Sequence, residues 1–248
     1  MGLLKSLLNA FSSQQQVPIS EEAEDLRHWK DPSTDPVMKS NEERMRYHDN
    51  LNYMVFQGSG IFSKTGKKRT IKPFDAFSYD EAITSLVEKG FVANSIQIER
   101  CCPEPPTEAQ LTSMRDHDDY IPSDICKHDA SCIISRYIDR DDFAGKALLD
   151  FATKQKIPTS YYIGKEALMS YLWRTLENER RIALYMLCVK KKESGRWEFG
   201  NFEKYASEAI RLLKNETFMN SFKRIYEIVD PEDISRNTNC YKMVLALI

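Results

Sequence analysis

A chain of 248 residues with 42% hydrophobic and 29% charged residues has length enough for one or two ordinary domains, which excludes a wholly disordered chain and a small disulfide-stapled scaffold. Its 35 Lys and Arg nearly cancel its 37 Asp and Glu, so net charge supplies no general attraction to nucleic acid or to an anionic membrane, and such a partner needs a local patch. Six cysteines (Cys101, Cys102, Cys126, Cys132, Cys188 and Cys240) occur without a secretory signal pattern, and the expectation is reduced thiols in the cytoplasm.

The chain starts MGLLKSLLNAF, where Lys5 interrupts an apolar stretch far shorter than the roughly 18 residues of a membrane span, so no span is expected. Gly2 and Ser6 match a myristoylation pattern, but a short amphipathic docking helix is the simpler reading. Polar residues and Pro18, Pro32 and Pro36 then punctuate the chain, so residues 1–49 read as a tail or linker with short helices.

Residues 50–102 read as a ββαβ unit. The apolar run YMVF is followed by GSGIF, KTGKK and RTIKPFDAF, which is strand, glycine-bearing turn and strand, with Gly66 marking the hairpin and Gly58 and Gly60 lying between strands. Ser78 and Glu81 have the spacing of a capping box, and Ala82, Ile83, Leu86 and Val87 recur at helical spacing before the left-handed stop at Gly90. SIQIER then alternates as a strand with Ile96 and Ile98 on one face.

Residues 103–248 read as a mainly helical domain. Thr107 and Gln110 form a second capping box behind two prolines. Ala130, Ile133, Ile134, Tyr137 and Ile138 form the stripe of a helix over 123–139. Residues 139–142, DRDD, look like the cap of the next helix. Further helical patterns run over 143–156, 165–176, 180–192, 202–214 and 217–227, and the closing YKMVLALI suits a helix or a strand. The fold class expected is α+β, a small N-terminal ββαβ unit followed by a mainly α-helical half.

The run PPTEAQL…YIPSDICKHDASCIISRYID resembles a helical module of bacterial and phage proteins, with Thr107, Gln110, Lys127, Ala130, Ser131, Ile134 and Ser135 at the motif positions. YIGKEAL at 162–168 and RIALYMLCV at 181–189 look like the helical extension that accompanies it, and some relatives also carry a HIRAN domain. The resemblance covers roughly residues 103–227. It implies architecture and transfers no catalytic residue. The departure is at Cys126, His128 and Cys132, where relatives usually have residues such as Thr, Glu and Leu.

Those three residues are weak candidates for a metal site, since thiolates and an imidazole suit zinc, but Cys132 also fits the apolar stripe as a small core residue, and packing is the preferred reading. Asp116, His117, Asp118 and Asp119 gather carboxylates and an imidazole, which suits a cation, acid–base chemistry or a solvated helix end. No phosphate loop, G-x-S-x-G elbow, paired CxxC or kinase signature occurs. Lys190, Lys191 and Lys192 end a helix where cations oppose the negative dipole end. The strongest binding signal is the hairpin: Lys64, Lys67, Lys68, Arg69 and Lys72 with no acidic residue between positions 62 and 74, flanked by Phe62 and Phe74 for stacking on bases. Lysines on a hairpin also serve solubility and guard an edge against aggregation.

The expectation is a non-enzymatic binding or adaptor protein that uses no cofactor, has a protein partner, and contacts nucleic acid through the basic hairpin. Two alternatives stay open: a metal-dependent or cysteine enzyme using the region from Asp116 to Cys132, and a structural subunit of an assembly. Residue patterns are silent on oligomeric state.

Overall fold

The computed structural model describes residues 50–117 and 121–248. The tail read at 1–49, with its docking helix and Gly2, lies outside the described residues, as do Asp118, Asp119 and Tyr120. Strand β1 (Met54–Phe62) and strand β2 (Lys67–Ala76) pair antiparallel around a turn in which the Thr65 and Gly66 amides both donate to the Phe62 carbonyl, at 3.1 and 2.9 Å. Gly66 has φ +64°, the left-handed geometry that glycine adopts without a Cβ clash. Helix α1 (Tyr79–Glu88) follows, and β3 (Gln97–Arg100) joins the other side of β1, giving the order β2-β1-β3.

One irregularity decides which side chains reach α1. Pairing passes from Phe56 with Phe74 to Gly58 with Ile71, so Lys72 and Pro73 together oppose Gln57 in a β-bulge. Strict alternation would send residues three apart to opposite faces; the extra residue leaves both Ile71 and Phe74 packed with Leu86 of α1. Pro73 lacks an amide hydrogen and is tolerated at the bulge of this edge strand. Phe56, Ala76 and Ala82 extend the same core.

Gly58 and Gly60 do not separate two strands, as the sequence reading had it, but lie inside β1. A Cβ on Gly58 would stand 2.0 Å from the Gln97 carbonyl oxygen, and one on Gly60 3.0 Å from the Phe91 ring, so the glycines let β3 and the segment before it close on β1. The first capping box forms by half. Ser78 Oγ accepts the Glu81 amide at 3.1 Å, but the Glu81 carboxylate pairs with Lys156 at 2.9 Å.

The rest is helical: α2 (Glu108–Arg115), α3 (Lys127–Asp139), α4 (Lys146–Lys154), α5 (Lys165–Thr175), α6 (Asn178–Ser194), α7 (Phe202–Leu213), α8 (Glu216–Phe222) and α9 (Asn239–Leu245). In α6 every residue from 182 to 189 is buried, so this helix runs through the core rather than over it and packs against α5, α7 and α9. The C-terminal run settles as helix. Thr238 Oγ1 accepts the Tyr241 amide at 3.2 Å, and Cys240, Tyr241 and Val244 are its buried side. Lys191 acts as expected of a cation at a helix end, its Nζ donating to the C-cap Gly195 carbonyl at 2.5 Å, whereas Lys192 Nζ leaves the helix end and donates to the Ile234 carbonyl at 2.9 Å.

The cap read at residues 139–142 serves a different helix. Asp141 bypasses α4 and accepts the Glu166 and Ala167 amides at the start of α5, at 3.1 and 3.0 Å. Gly164 makes room for it, since a Cβ there would lie 2.0 Å from Asp141 Oδ2. Residues ahead of β1 tie the sheet to the loop between α4 and α5: the Asn52 amide donates to the Thr159 carbonyl at 3.1 Å, the Tyr161 amide to that of Asn50 at 2.8 Å, and Asn52 Nδ2 to that of Ile157 at 2.9 Å. Among the described residues no helix is long and apolar enough to cross a membrane.

Candidate functional site

Two places carry the chemistry-bearing residues: the junction between the base of the sheet and α3, and the tip of the hairpin. At the junction, Cys126 occupies the N-cap of α3, and its amide donates to Asp129 Oδ2 at 2.9 Å. The other carboxylate oxygen, Oδ1, accepts Ser160 Oγ–H at 2.6 Å, and Ser160 Oγ in turn accepts the Tyr162 amide at 3.0 Å. Asp129 and Ser160 are fully buried, so these bonds form where water does not compete.

Cys126, His128 and Cys132 are not brought together as a ligand set. Among the described residues no three His, Cys, Asp or Glu side chains are placed to hold a metal ion. The physical reason is that each has another partner: Cys126 packs with Leu51 and Tyr53, Cys132 is buried beside Ser160, and His128 Nδ1 lies 2.8 Å from the Tyr53 hydroxyl. Burial, reinforced by the negative charge of Asp129, pushes both the Cys126 and Cys132 thiols up to about 12. A nucleophile or metal ligand needs the opposite shift. Asp116 is exposed at the C-cap of α2, and the His117 ring packs 5.7 Å from Tyr137.

His128 has a consequence for stability. Burial lowers its pKa, against the raising effect of Asp129 and Asp75, while burial raises that of Tyr53 far above the usual phenol range. The phenol therefore stays protonated and donates to a neutral Nδ1. An unfolded chain binds a proton near pH 6.5 that the folded chain refuses until lower pH, so stability is complete above about 6.5 and falls as pH drops through that value towards the folded pKa. His128→Asn keeps an acceptor but does not titrate. Urea unfolding at pH 7.5 and 5.5 should show a smaller acid loss in the variant; parallel losses would remove His128 as the cause.

Thr107, Gln110, Lys127 and Ser131 meet in a clasp between α2 and α3. Gln110 caps α2 reciprocally with Thr107 and also donates from Nε2 to the Lys127 carbonyl at 3.0 Å and to Ser131 Oγ at 2.8 Å. Ala130 joins Met114, Ile125 and Ile133 in the core beneath, with Ile134 against it. Lys127 reaches outward to Glu104 at 2.7 Å, and Ser135 is exposed. Gln110, the Lys127 carbonyl, Ser131 and the core around Ala130 hold the two helices together.

At the hairpin, Lys64 sits in the turn, Lys67, Lys68 and Arg69 on the outer half of β2, and Lys72 at the bulge; all five are exposed. Among the described residues none of the five forms an ion pair. The register puts Lys67 opposite Phe62, Lys68 opposite Ile61 and Arg69 opposite Gly60, so the cations alternate between the two faces of an edge strand.

The two phenylalanines are placed differently from the expectation that they stack on bases. The Arg69 guanidinium lies 4.1 Å from the centre of the Phe62 ring, and Phe91 meets that ring edge-on at 5.7 Å. Phe74 turns inward beside Phe56, with ring centroids 6.2 Å apart, and Lys89 Nζ stands 5.4 Å from its centre. Lys89 is thus a further cation near the hairpin that the sequence reading missed, brought back by the crossing of α1; only its place just before Gly90 hinted at it. Comparison of the chain with protein-family models, with curated proteins and with solved structures gives no match in any of the three.

Proposed function

We propose that this is a binding protein whose basic hairpin holds the phosphates of a nucleic acid while its helical half offers a docking surface to a protein partner. The observation that carries the reading is the placement of Lys64, Lys67, Lys68, Arg69 and Lys72 on one exposed edge hairpin without a carboxylate partner among the described residues. Cations kept free of ion pairs hold their charge available for an external anion, and a row of them suits a polyanion. The docking half of this reading is residues 103–227, taken as a helical module of bacterial and phage type. The enzyme alternative has less support, because the thiols it needs are buried and held protonated.

The test is fluorescence anisotropy of the full chain against labelled nucleic acid over a range of salt. With five phosphate contacts on a duplex, log affinity is expected to fall with log salt at a slope of about −4.5, roughly 500-fold between 50 and 200 mM. Lys67→Glu, Lys68→Glu and Lys72→Glu together should weaken binding more than tenfold and flatten the slope by about 3, with the circular dichroism unchanged. Equal binding by wild type and triple variant would place the contact elsewhere, and no binding at any salt would end the reading.

A further inference from the structure

We infer that the nucleic acid held by this hairpin is double-stranded and is gripped by its phosphates alone, an inference that rests on the reading just given. Proteins that hold single strands without sequence preference combine a cationic groove with open aromatic faces on which successive bases stack. This hairpin has the cations, but the two rings that flank them are half-buried and already engaged. Phe62 is covered on one face by Arg69 and makes a T-shaped contact with Phe91, and Phe74, half-buried, packs against the core that Leu86 of α1 shares with Ile71. The exposed ring of the unit, Tyr79, packs edge-on against Phe56, at the other end of β1 from the strand positions that face Lys67, Lys68 and Arg69.

The spacing of the cations favours the denser polyanion. From Lys67 to Lys72 the stripe runs five residues, about 17 Å along β2, with Lys64 beyond its end at the turn. Over roughly that length a duplex presents about ten phosphates along its axis and a single strand about five. The alternation of Lys67 and Arg69 with Lys68 across the edge strand lets side chains reach charge on both sides of it, which a duplex surface supplies and one thin strand does not. Counterion release points the same way: at about 0.9 against 0.7 ions per phosphate, five contacts release about one more ion from a duplex, worth roughly tenfold in affinity near 0.1 M salt.

The measurement compares a labelled 24-base-pair DNA duplex, the RNA duplex of the same sequence, and each single strand alone, all with the full chain at 0.1 M salt. Either duplex bound about tenfold more tightly than its strands, with Phe62→Leu leaving both affinities unchanged, is the expected result. Single strands bound as tightly as duplex, or weakened several-fold by Phe62→Leu, would overturn the inference and leave the nucleic-acid reading standing. Failure of every probe to bind would remove that reading, and this inference with it.

Discussion

Asp129→Ala is expected to destabilise the folded chain by about 4 kcal/mol, because it strips the acceptor from two buried donors at once. The Cys126 amide and the Ser160 hydroxyl both end on this carboxylate, at 2.9 and 2.6 Å, in a place with no solvent exposure. Each donor left without a partner costs about 1–3 kcal/mol, and the bond to the Cys126 amide is also the Asp129 half of the capping box of α3. The site also joins the sheet to the helices, since Ser160 lies in the loop bridged to Leu51. For a chain of this size the midpoint of thermal unfolding should drop by roughly 8–16 °C. Ser160→Ala removes one bond and should lower stability by about half as much. Urea unfolding of the two variants decides it: a loss in Asp129→Ala no larger than in Ser160→Ala would mean that the carboxylate does not carry the network.

The second large effect is expected at Gly58. A Cβ there would meet the Gln97 carbonyl oxygen at 2.0 Å and Ile98 Cα at 2.8 Å, and both are backbone atoms that no side-chain rotation can clear. β3 must move off β1 or β1 must bend, and either disrupts the pairing of Gln57 with Glu99 and Gly58 with Ile98 and opens the core beside Ile96. Gly58→Ala should therefore cost more than about 3 kcal/mol, in the range reserved for core disruption. Gly66→Ala is the control. No atom lies within 4 Å of its added Cβ, so only the left-handed backbone at φ +64° opposes it, at about 1 kcal/mol. Amide exchange would show the Gly58 variant losing protection along β3 while the Gly66 variant keeps it; similar modest losses in both would show that β3 adapts.

The roles of Gly58 and Gly60 were not legible in the residue string. Gly58-Ser-Gly60 has the composition of a turn, and only the approach of a strand almost forty residues later shows why side chains are excluded. Asp141 misleads in the same way, because a carboxylate before a helical pattern looks like that helix's cap until the chain folds back and offers it the amides of α5. Glu81 has the spacing to close a box with Ser78 and is drawn off by Lys156. The CKHDASC run holds three ligand types within seven positions, yet Tyr53 and Ser160, one far before it in the chain and one far after, take up His128 and neighbour Cys132.

What the sequence by itself determined were features completed within one or two turns of chain: the Thr107 and Gln110 box, the left-handed stop at Gly90, the helical pattern over 180–192, the Gly66 turn, and with them the α+β order of a small sheet unit ahead of helices. Their partners are three or four residues apart, so spacing alone carries the geometry. The tertiary structure decided the rest: which amides Asp141 caps, which faces the bulge at Lys72 and Pro73 presents, and that Arg69 and α1 occupy the rings beside the hairpin while its five cations stay exposed. Those outcomes depend on groups tens of residues away, and a hydrogen bond or a packed ring goes to whichever partner the folded chain brings within reach.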